Sequence, residues 1–398
     1  MPCRLLGALL LVSLFAGAAH AAPLYTVGAP VVPVDKSEAS LRRTAPATLN
    51  PALFSLSTRA KGGQLTFPLF DGEATGVIAH TRETSPDDFS VAGDLAGEPG
   101  GNFTLTVRGG DAALSILDDT GAMIRLTGTP GGYVLEEHEA DLLPGCGSEH
   151  LPQVFRGAGA KARERRLAAE AARAMKGADP VEIVLLVVYT AASRERAGSA
   201  GALEALIQNA VDQGNLAYAN SGIALTVTLA HMAEVDYEED PEMALALAKL
   251  TFRNDGVMDE VHTLRNTHEA DMVALITSIG DAGGMGWILD ALDDTVASQS
   301  FSITKYSNLG SLTLPHELGH NMGCDHDEDN ITAEGYRLFN YSRGWRFNAQ
   351  QDGLLYRTIM AYPPGLRTAH FSNPEVLFKG TPTGAALGTV DEANSALT

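Results

Sequence analysis

The chain has 398 residues, of which 45% are hydrophobic and 19% are charged, and its formal net charge is −21. This composition is that of a globular protein and excludes a disordered or fibrous one. The strong negative charge argues against nucleic acid or an anionic membrane surface as a partner, so we expect neither. With three cysteines in the whole chain, stability does not come from a disulfide framework.

The first residues have the features of a secretion signal. Arg4 precedes an almost wholly apolar run from Leu5 to Phe15, and Ala19-His20-Ala21 fits a small-residue cleavage site. We therefore expect residues 1–21 to be a signal peptide and the protein to be secreted, into the periplasm or the medium. No later apolar stretch is long enough to predict a membrane span.

Residues 22–155 are predicted to form a β-rich domain. Residues 22–50 look like an irregular arm with little periodicity, whereas short β-forming runs alternate with turn residues further on. Such spacing is typical of a compact antiparallel β domain. The predicted strands are Gln64–Phe70, Thr75–Thr81, Asn102–Arg108, Ala112–Leu117, Ala122–Thr127 and Gly132–Glu137.

One cysteine stands near the end of this domain. Cys3 belongs to the signal peptide, which leaves Cys146, in the run Pro-Gly-Cys-Gly, and Cys324. A thiolate at Cys146 would be a good zinc ligand. A disulfide with Cys324 and an idle thiol in a tight turn are the alternatives.

The segment 156–177 is rich in basic residues and is interpreted as a linker. An exposed connection of this kind is where proteolytic cleavage concentrates. An ordinary charged helix face is equally compatible with the pattern. Its basic residues are Arg156, Lys161, Arg163, Arg165, Arg166, Arg173 and Lys176.

In residues 178–398, strands alternate with helices, which predicts a partly parallel sheet. The β-branched and leucine-rich runs suit strands that are covered on both faces. With the β-rich first half, the fold class is α+β. The predicted strands are Val181–Tyr189, Ile223–Leu229, Asp271–Ile276 and Gln299–Lys305, and the helices are Gly201–Ala219, Glu242–Leu250 and Met258–Arg265.

The motif with the clearest chemistry is H-E-x-x-H-x-x-G-x-x-H, at residues 316–326. On a helix of about 3.6 residues per turn, His316 and His320 project from one face and can hold one metal ion. Gly323 ends the helix, because glycine adopts the left-handed conformation at little cost, and lets the chain bring His326 to the same metal. Three imidazoles leave one position open, as in a catalytic zinc site.

This motif resembles that of the metzincin zinc peptidases. Asp327 directly follows the third histidine, as in the reprolysin/adamalysin branch, and residues 358–362, Thr-Ile-Met-Ala-Tyr, resemble the Met-turn of that clan. The resemblance covers roughly residues 180–398. It implies a secreted peptidase of bacterial type, whose catalytic domain has a twisted, mostly parallel sheet, a zinc helix and a Met-turn.

The same resemblance implies roles for single residues. His316, His320 and His326 would bind one Zn²⁺, and Glu317 would take the proton of a water that the zinc makes acidic. Met360 would support the histidines by packing. Tyr362 stands where other metzincin branches have a tyrosine that approaches the zinc. It would therefore stabilise the oxyanion, act as a fifth zinc ligand, or merely pack.

The metzincin resemblance also implies roles for further segments. Gly284, Met285, Gly286 and Trp287 resemble the edge strand that pairs with an extended substrate, with a plain loop as the alternative. Cys146 resembles the cysteine switch with which metzincin prodomains block the zinc. Residues 363–365, Pro-Pro-Gly, would form part of the wall that accepts the residue after the scissile bond. The acidic run 327–329 is compatible with Ca²⁺, although the sequence favours a solvated loop.

We therefore predict a secreted zinc endopeptidase that is made as a zymogen, acts on proteins or peptides, and is a monomer. A secreted zinc-binding protein without catalysis and a zinc hydrolase of a non-peptide bond are the alternatives. The presence of Glu317 argues against the first, because a structural site needs no carboxylate there. The extended edge strand and the switch-like prodomain favour peptides over the second.

Overall fold

The computed structural model describes residues 23–32, 38–50, 59–98, 100–151, 180–292, 296–331 and 338–398. The predicted signal peptide (1–21) and the predicted linker (156–177) lie outside these residues. Within the described ranges, no helix is long and apolar enough to cross a membrane.

Nine strands in the first part of the chain form one antiparallel sheet. Its order is β1-β2-β9-β8-β7-β6-β5-β4-β3, so β3 to β9 follow one another as a meander. Pro23 pairs with Thr66, which joins the two ends of the sheet. The strands are β1 Tyr25–Val27, β2 Leu41–Leu49, β3 Gln64–Pro68, β4 Glu73–Ser85, β5 Asp88–Leu95, β6 Asn102–Arg108, β7 Asp111–Leu117, β8 Ala122–Thr129 and β9 Gly132–Glu139.

Alternation along these strands gives the curled sheet an apolar inner face. Phe103, Leu105 and Val107 of β6 pack into its enclosed core. Between them, Thr104 and Thr106 point outward and are nevertheless fully buried. The outer face is therefore covered by another part of the chain.

The predicted irregular arm at residues 22–50 is wrong, because β1 and β2 lie there. In β2 the buried side chains are Ala45, Ala47 and Leu49, and the two alanines are too small to give a clear hydrophobic signal. Pairing with β9 stabilises this strand. The sequence prediction also misses β5.

A five-stranded sheet organises the second part of the chain, with the order β11-β10-β12-β14-β13. All neighbours are parallel except β13, which lies antiparallel to β14 at the edge. The predicted, partly parallel sheet is present. Its strands are β10 Val181–Thr190, β11 Leu225–Val235, β12 Met272–Thr277, β13 Gly284–Gly286 and β14 Phe301–Lys305.

Helices cover both faces of this sheet, which is why its strands read as continuous apolar runs. The helices are α1 Ala191–Ala197, α2 Ala200–Asn220, α3 Met243–Thr251, α4 Glu260–Thr267 and α5 Thr313–Asn321. Leu206 of α2 and Leu318 of α5 share one core with Val187. Leu247 of α3 and Val261 of α4 share the other core with β12.

Buried polar groups contribute to the contact between the β sheet and α2, beside Leu117 and Met123 of the sheet, which share a hydrophobic core with Leu206. Asp212 of α2 accepts hydrogen bonds from Arg82 Nε (3.3 Å), Ser90 Oγ and Thr106 Oγ1 (3.1 Å). On β8, the buried Arg125 pairs with Glu136 (2.7 Å) and donates to the carbonyl of residue 306 (3.0 Å), in the loop before α5. The first half of the chain thus contacts the elements that carry the histidine motif.

Two small sheets follow α5. The strands are β15 Arg346–Asn348, β16 Leu355–Arg357, β17 Leu366–Arg367, β18 Leu377–Phe378 and β19 Thr381–Pro382. Because β16 and β17 are parallel, Arg357 lies opposite Arg367. The predicted Met-turn connects these two strands.

Candidate active site

Helix α5 and the turn after it bring the three histidines together. His316 and His320 lie on one face of α5, which ends at Asn321, and Gly323 then has a φ of +95° as predicted. The reversal places His326 Nε2 3.3 Å from His316 Nε2 and 3.1 Å from His320 Nε2. All three side chains are buried.

Backbone carbonyls orient each imidazole. The Nδ1 atoms lie 2.8 Å from Ile359 O for His316, 2.8 Å from Cys324 O for His320 and 3.2 Å from the carbonyl of residue 330 for His326. A carbonyl only accepts, so it favours a proton on each Nδ1; at His316 the Nη2 of Arg367, which only donates, also lies 3.2 Å from Nδ1. Each Nε2 therefore presents its lone pair to the others.

The surroundings keep these rings neutral. Burial and the neighbouring histidines lower the pKa of His316 and His326 well below the ordinary value. Burial also lowers the pKa of His320. Neutral imidazole is the form that binds a metal ion.

These donors fit a zinc ion. Three lone pairs facing one another at 3.1–3.3 Å repel unless a cation lies between them. Two nitrogens on a tetrahedral zinc with bonds of about 2.0–2.1 Å stand roughly 3.4 Å apart. Cys146 Sγ lies 3.5 Å from His320 Nε2, and the four donor atoms lie within 4.8 Å of one another.

Cys146 thus reaches the histidines as a fourth donor. Cys146 and Cys324 are both free thiols, so the alternative disulfide is not formed. Burial and the adjacent Glu317 raise the pKa of Cys146 well above its ordinary value. A nearby cation would act in the opposite direction and favour the thiolate.

Glu317 lies beside the histidine cluster. Its Oε2 is 3.4 Å from Cys146 Sγ, and its Oε1 has no hydrogen-bond partner among the residues described. Burial raises its pKa to about 8. A Cβ at Gly284 would lie 2.4 Å from Oε1, so the glycine of the edge strand makes room for this carboxyl group.

The edge strand β13 already carries a partner. Gly147 N donates to Gly284 O (2.9 Å), and Gly283 N donates to Gly145 O (2.7 Å). Ser148 Oγ accepts from Gly286 N at 2.9 Å and donates to its carbonyl at 3.0 Å. Residues 145–148 therefore occupy the backbone groups of β13.

The other predicted members of the edge strand use their side chains elsewhere. Met285 and Trp287 are buried in the core beside α3, and the indole Nε1 of Trp287 donates to Thr251 Oγ1 (2.7 Å). These two side chains do not face the histidines. Their contribution to the site is the backbone that they hold in place.

Met360 lies beneath α5 and is fully buried. A Cβ at Gly319, between the two helical histidines, would lie 2.7 Å from Met360 Sδ. The methionine therefore packs closely against the helix. This placement agrees with the supporting role that the sequence predicts.

Tyr362 contacts the first half of the chain. Its hydroxyl lies 2.8 Å from both Cys146 O and Glu149 Oε2, and either oxygen can accept its hydrogen bond. Its backbone N–H donates to Asp327 Oδ2 (2.8 Å). Glu149 and Ser148 are contacts of the site that sequence reasoning missed, because no motif marks them.

The acidic run at 327–329 pairs with arginines. Arg346 contacts Asp327 (2.5 Å) and Asp329, and Arg343 contacts Glu328. Glu328 and Asp329 are exposed, as the predicted solvated loop requires, whereas Asp327 is buried. A calcium ion would have to compete with these guanidinium groups for the three carboxylates.

A small cavity of about 110 Å³ lies next to the histidines. His316, Glu317 and Pro363 line it, together with Arg357 and Arg367. Of the wall expected at residues 363–365, Pro363 lines this cavity. The two arginines were missed, because they lie on short strands that carry no recognisable motif.

Comparisons with known proteins agree with this geometry. Residues 180–372 match the model of metallo-peptidase family M12, Reprolysin_5. The peptidyl-Asp metalloendopeptidase of Stenotrophomonas maltophilia (strain K279a) is 28% identical over 96% of this chain and 93% of that protein. The protein of the same name from Xanthomonas campestris pv. campestris is 30% identical over 72% of this chain and 65% of its own length.

A third protein of that name, from Pseudomonas aeruginosa, is 25% identical over 50% of this chain and 36% of its own length. These matches support peptide-bond hydrolysis over the two alternatives, zinc binding without catalysis and hydrolysis of another bond. They also confirm the resemblance drawn from the motif. The chain is a zinc metallopeptidase of the reprolysin-like type, a hydrolase of peptide bonds.

Proposed function

We propose that this peptidase is a secreted endopeptidase, made as a zymogen, that cleaves polypeptides beside aspartyl residues. His316, His320 and His326 hold the zinc ion, and Glu317 moves the proton. The observation that carries the proposal is the convergence of three oriented, neutral imidazoles beside a buried carboxyl group with one free oxygen.

The chain supplies the acid–base chemistry. A zinc ion held here would polarise the scissile carbonyl and lower the pKa of a water. Glu317 accepts the proton of the attacking water and passes it to the leaving amine, as a general base and then a general acid. Close packing of α5 on β13 fixes this carboxyl group in position.

Strand β13 is the proposed platform for the substrate. Its backbone groups at Gly284 and Gly286 bond to residues 147 and 148 in this form of the protein. Once that segment has left, an extended peptide can take the same bonds with little demand on its side chains. The enzyme then selects substrates elsewhere in the site.

The preference for aspartate rests on two supports. The relatives are named peptidyl-Asp metalloendopeptidases. In this chain, two arginines line the cavity beside Glu317, and arginine is well suited to bind carboxylates.

Latency follows from the segment that crosses the site. Cys146 takes the position of the fourth donor, residues 145–148 cover β13, and Tyr362 is held by Glu149. A peptide cannot bind while these contacts persist. We propose that cleavage within residues 152–179 releases the N-terminal part and exposes the site.

The test uses the full chain, processed by trypsin at the basic segment 156–177. We expect one zinc per chain and cleavage of casein that a chelator abolishes and zinc restores. Stoichiometric zinc without cleavage of casein or of aspartyl peptides would contradict the proposed endopeptidase.

Glu317→Gln separates metal binding from chemistry. Because no histidine changes, zinc content should stay at the wild-type level. Turnover should fall at least about 10²–10⁴-fold, since the proton acceptor is lost. A fully zinc-loaded variant with near wild-type activity would remove Glu317 from the mechanism.

A further inference from the structure

We propose that Arg367, assisted by Arg357, binds the carboxylate of the substrate residue that follows the scissile bond, and so determines the specificity of the enzyme. The inference rests on the proposed endopeptidase function. It adds the residues that select the substrate and the side of the bond on which they act.

The two arginines form an unusual pair of like charges. They lie opposite each other on the parallel strands β16 and β17, and both line the cavity beside Glu317. Arg357 is 6% exposed. Among the described residues, no acidic side chain lies within 4.0 Å of Arg367, and Asp141 alone pairs with Arg357, at 3.8 Å.

Backbone carbonyls hold both guanidinium groups in place. Arg357 donates to Gly365 O (2.8 Å) and Ala361 O (2.9 Å). Arg367 donates to Ser311 O (3.0 Å) and Ile359 O (2.9 Å). Carbonyls fix the groups without neutralising them, so the positive charge stays available to an anion.

Arg367 also retains an unused donor. Its Nε is buried and has no hydrogen-bond partner in the part of the chain that the structure describes. A buried donor without a partner costs free energy. A charge-assisted hydrogen bond from Arg367 Nε to a substrate carboxylate would remove that cost. The cavity is therefore prepared for a negatively charged side chain.

The position of the cavity identifies the substrate residue. Glu317 gives its proton to the leaving amine, which is the backbone nitrogen of the residue after the scissile bond. Glu317 and His316 line this cavity. The side chain attached next to that amine is therefore the one that enters it.

The other charged groups around the cavity do not cancel the positive charge of the two arginines. Glu317 and Asp141 are the acidic side chains that line it. Asp141 belongs to the N-terminal part and leaves with it, so two guanidinium groups then face one carboxyl group. In the uncleaved protein, Asp141 places a carboxylate near Arg357, much as a substrate would.

A purely structural role for Arg367 must be distinguished from this one. Its bonds to Ser311 O and Ile359 O link the start of α5 to the Met-turn. Loss of that link would impair all substrates and would lower zinc content. Loss of carboxylate recognition would impair acidic substrates alone.

The experiment compares peptides that differ only in Asp or Asn after the scissile bond. With the processed enzyme, Arg367→Gln should lower kcat/KM for the Asp peptide about 10–100-fold, as expected for a lost charge-assisted bond. Cleavage of the Asn peptide should change less than about threefold. Arg357→Gln should reduce the ratio of kcat/KM for the Asp peptide to that for the Asn peptide by a smaller factor. Arg357 bonds to Gly365 O and Ala361 O, whereas Arg367 Nη2 also lies 3.2 Å from His316 Nδ1.

The matched control is Arg194→Gln. Arg194 forms an exposed ion pair with Glu234 on the surface, which contributes little. This variant should keep the wild-type ratio of kcat/KM for the Asp peptide to that for the Asn peptide. Zinc content is measured for every variant. If Arg367→Gln loses zinc, the test depends on the ratio of kcat/KM for the Asp and Asn peptides that is measured with Arg357→Gln.

A binding measurement separates this inference from the proposed function. In the Glu317→Gln background, calorimetry gives the Kd of the uncleaved Asp and Asn peptides without turnover. We expect tighter binding of the Asp peptide, lost on Arg367→Gln. Equal binding of both peptides overturns the specificity assignment even if casein is cleaved, whereas selective binding without any cleavage by the wild type contradicts only the proposed function.

Discussion

Each zinc-site histidine is oriented by a carbonyl from a different part of the chain. Ile359 lies in the Met-turn, Cys324 follows α5, and the carbonyl of residue 330 belongs to the next loop. The Met-turn therefore acts on the site through the Ile359 carbonyl as well as through Met360. A carbonyl contact of this kind fixes the tautomer, which a packing contact cannot do.

His326→Ala should remove a ligand that the turn at Gly323 delivers. We expect zinc affinity to fall by more than about 100-fold, since even the loss of an outer hydrogen bond costs 10–100-fold. Activity should fall with it. Metal analysis after dialysis against a weak chelator measures the effect.

The control for this variant is His268→Ala. His268 stacks on His231, outside the site, so zinc content and activity should match the wild type. If His326→Ala kept stoichiometric zinc and activity, the third ligand would have to be another residue.

The histidine motif was predictable because its geometry is local. Helical periodicity places His316 and His320 on one face, and a glycine with positive φ redirects the chain. The partners of Cys146 across the site are more than 100 positions away along the chain, and Arg367 reaches Ser311 O and His316 Nδ1 over more than 50 positions. No local pattern records such contacts, so only a resemblance could suggest Cys146, and nothing suggested Arg367.

At the scale of elements, the edge strand and the zinc helix lie unusually close. A Cβ at Gly284 would meet Glu317 Oε1 at 2.4 Å, and one at Gly286 would meet the Glu317 carbonyl at 2.9 Å. The two glycines of β13 therefore determine how near the helix approaches. They set the position of the proposed general base, Glu317, without touching the three histidines.

Gly284→Ala should displace the Glu317 carboxyl group and leave the histidines intact. We expect kcat to fall about 10–100-fold at unchanged zinc content, because a shift of about 1 Å has that effect. Gly280→Ala is the control, since nothing lies within 4 Å of a Cβ there. Equal kcat values for both variants would show that this close approach has no catalytic consequence.

Strand prediction succeeded where burial on both faces gives long apolar runs, as in β10 and β12. It failed for β2, whose buried positions are mostly alanine, and for the two-residue strands after the Met-turn. Such short elements are stabilised by tertiary contacts, which propensity does not record. Arg367 nevertheless lies on one of these two-residue strands, β17, and Arg357 lies on the three-residue strand β16.

At the scale of the whole molecule, Cys146 provides a test of latency. In the unprocessed chain, Cys146→Ser should raise casein cleavage above the nearly inactive wild type, because a hydroxyl is a far poorer zinc ligand than a thiolate. Self-processing should also begin earlier. Casein cleavage and gel mobility over time measure both effects.

Cys324→Ser serves as the comparison. The Cys324 thiol is buried in the core that contains Leu318 and Met360 and forms no disulfide, so this precursor should stay latent. A Cys146→Ser precursor that also stays fully latent would contradict the switch. Blockage of β13 by residues 145–148 would then be the explanation.

The polar contact between the curled sheet and α2 affects the solubility of the two halves once they separate. Gln208, Asn209 and Asp212 are buried on α2 by the sheet, where they bond to one another and to β-strand groups. When the sheet departs, these side chains meet water in place of their former partners. The facing threonines and serines of the sheet do the same, whereas Leu117 and Met123 of the sheet lose the core that they share with α2. The polar side chains on both sides therefore reduce the apolar surface that separation exposes, and with it the tendency of each half to aggregate.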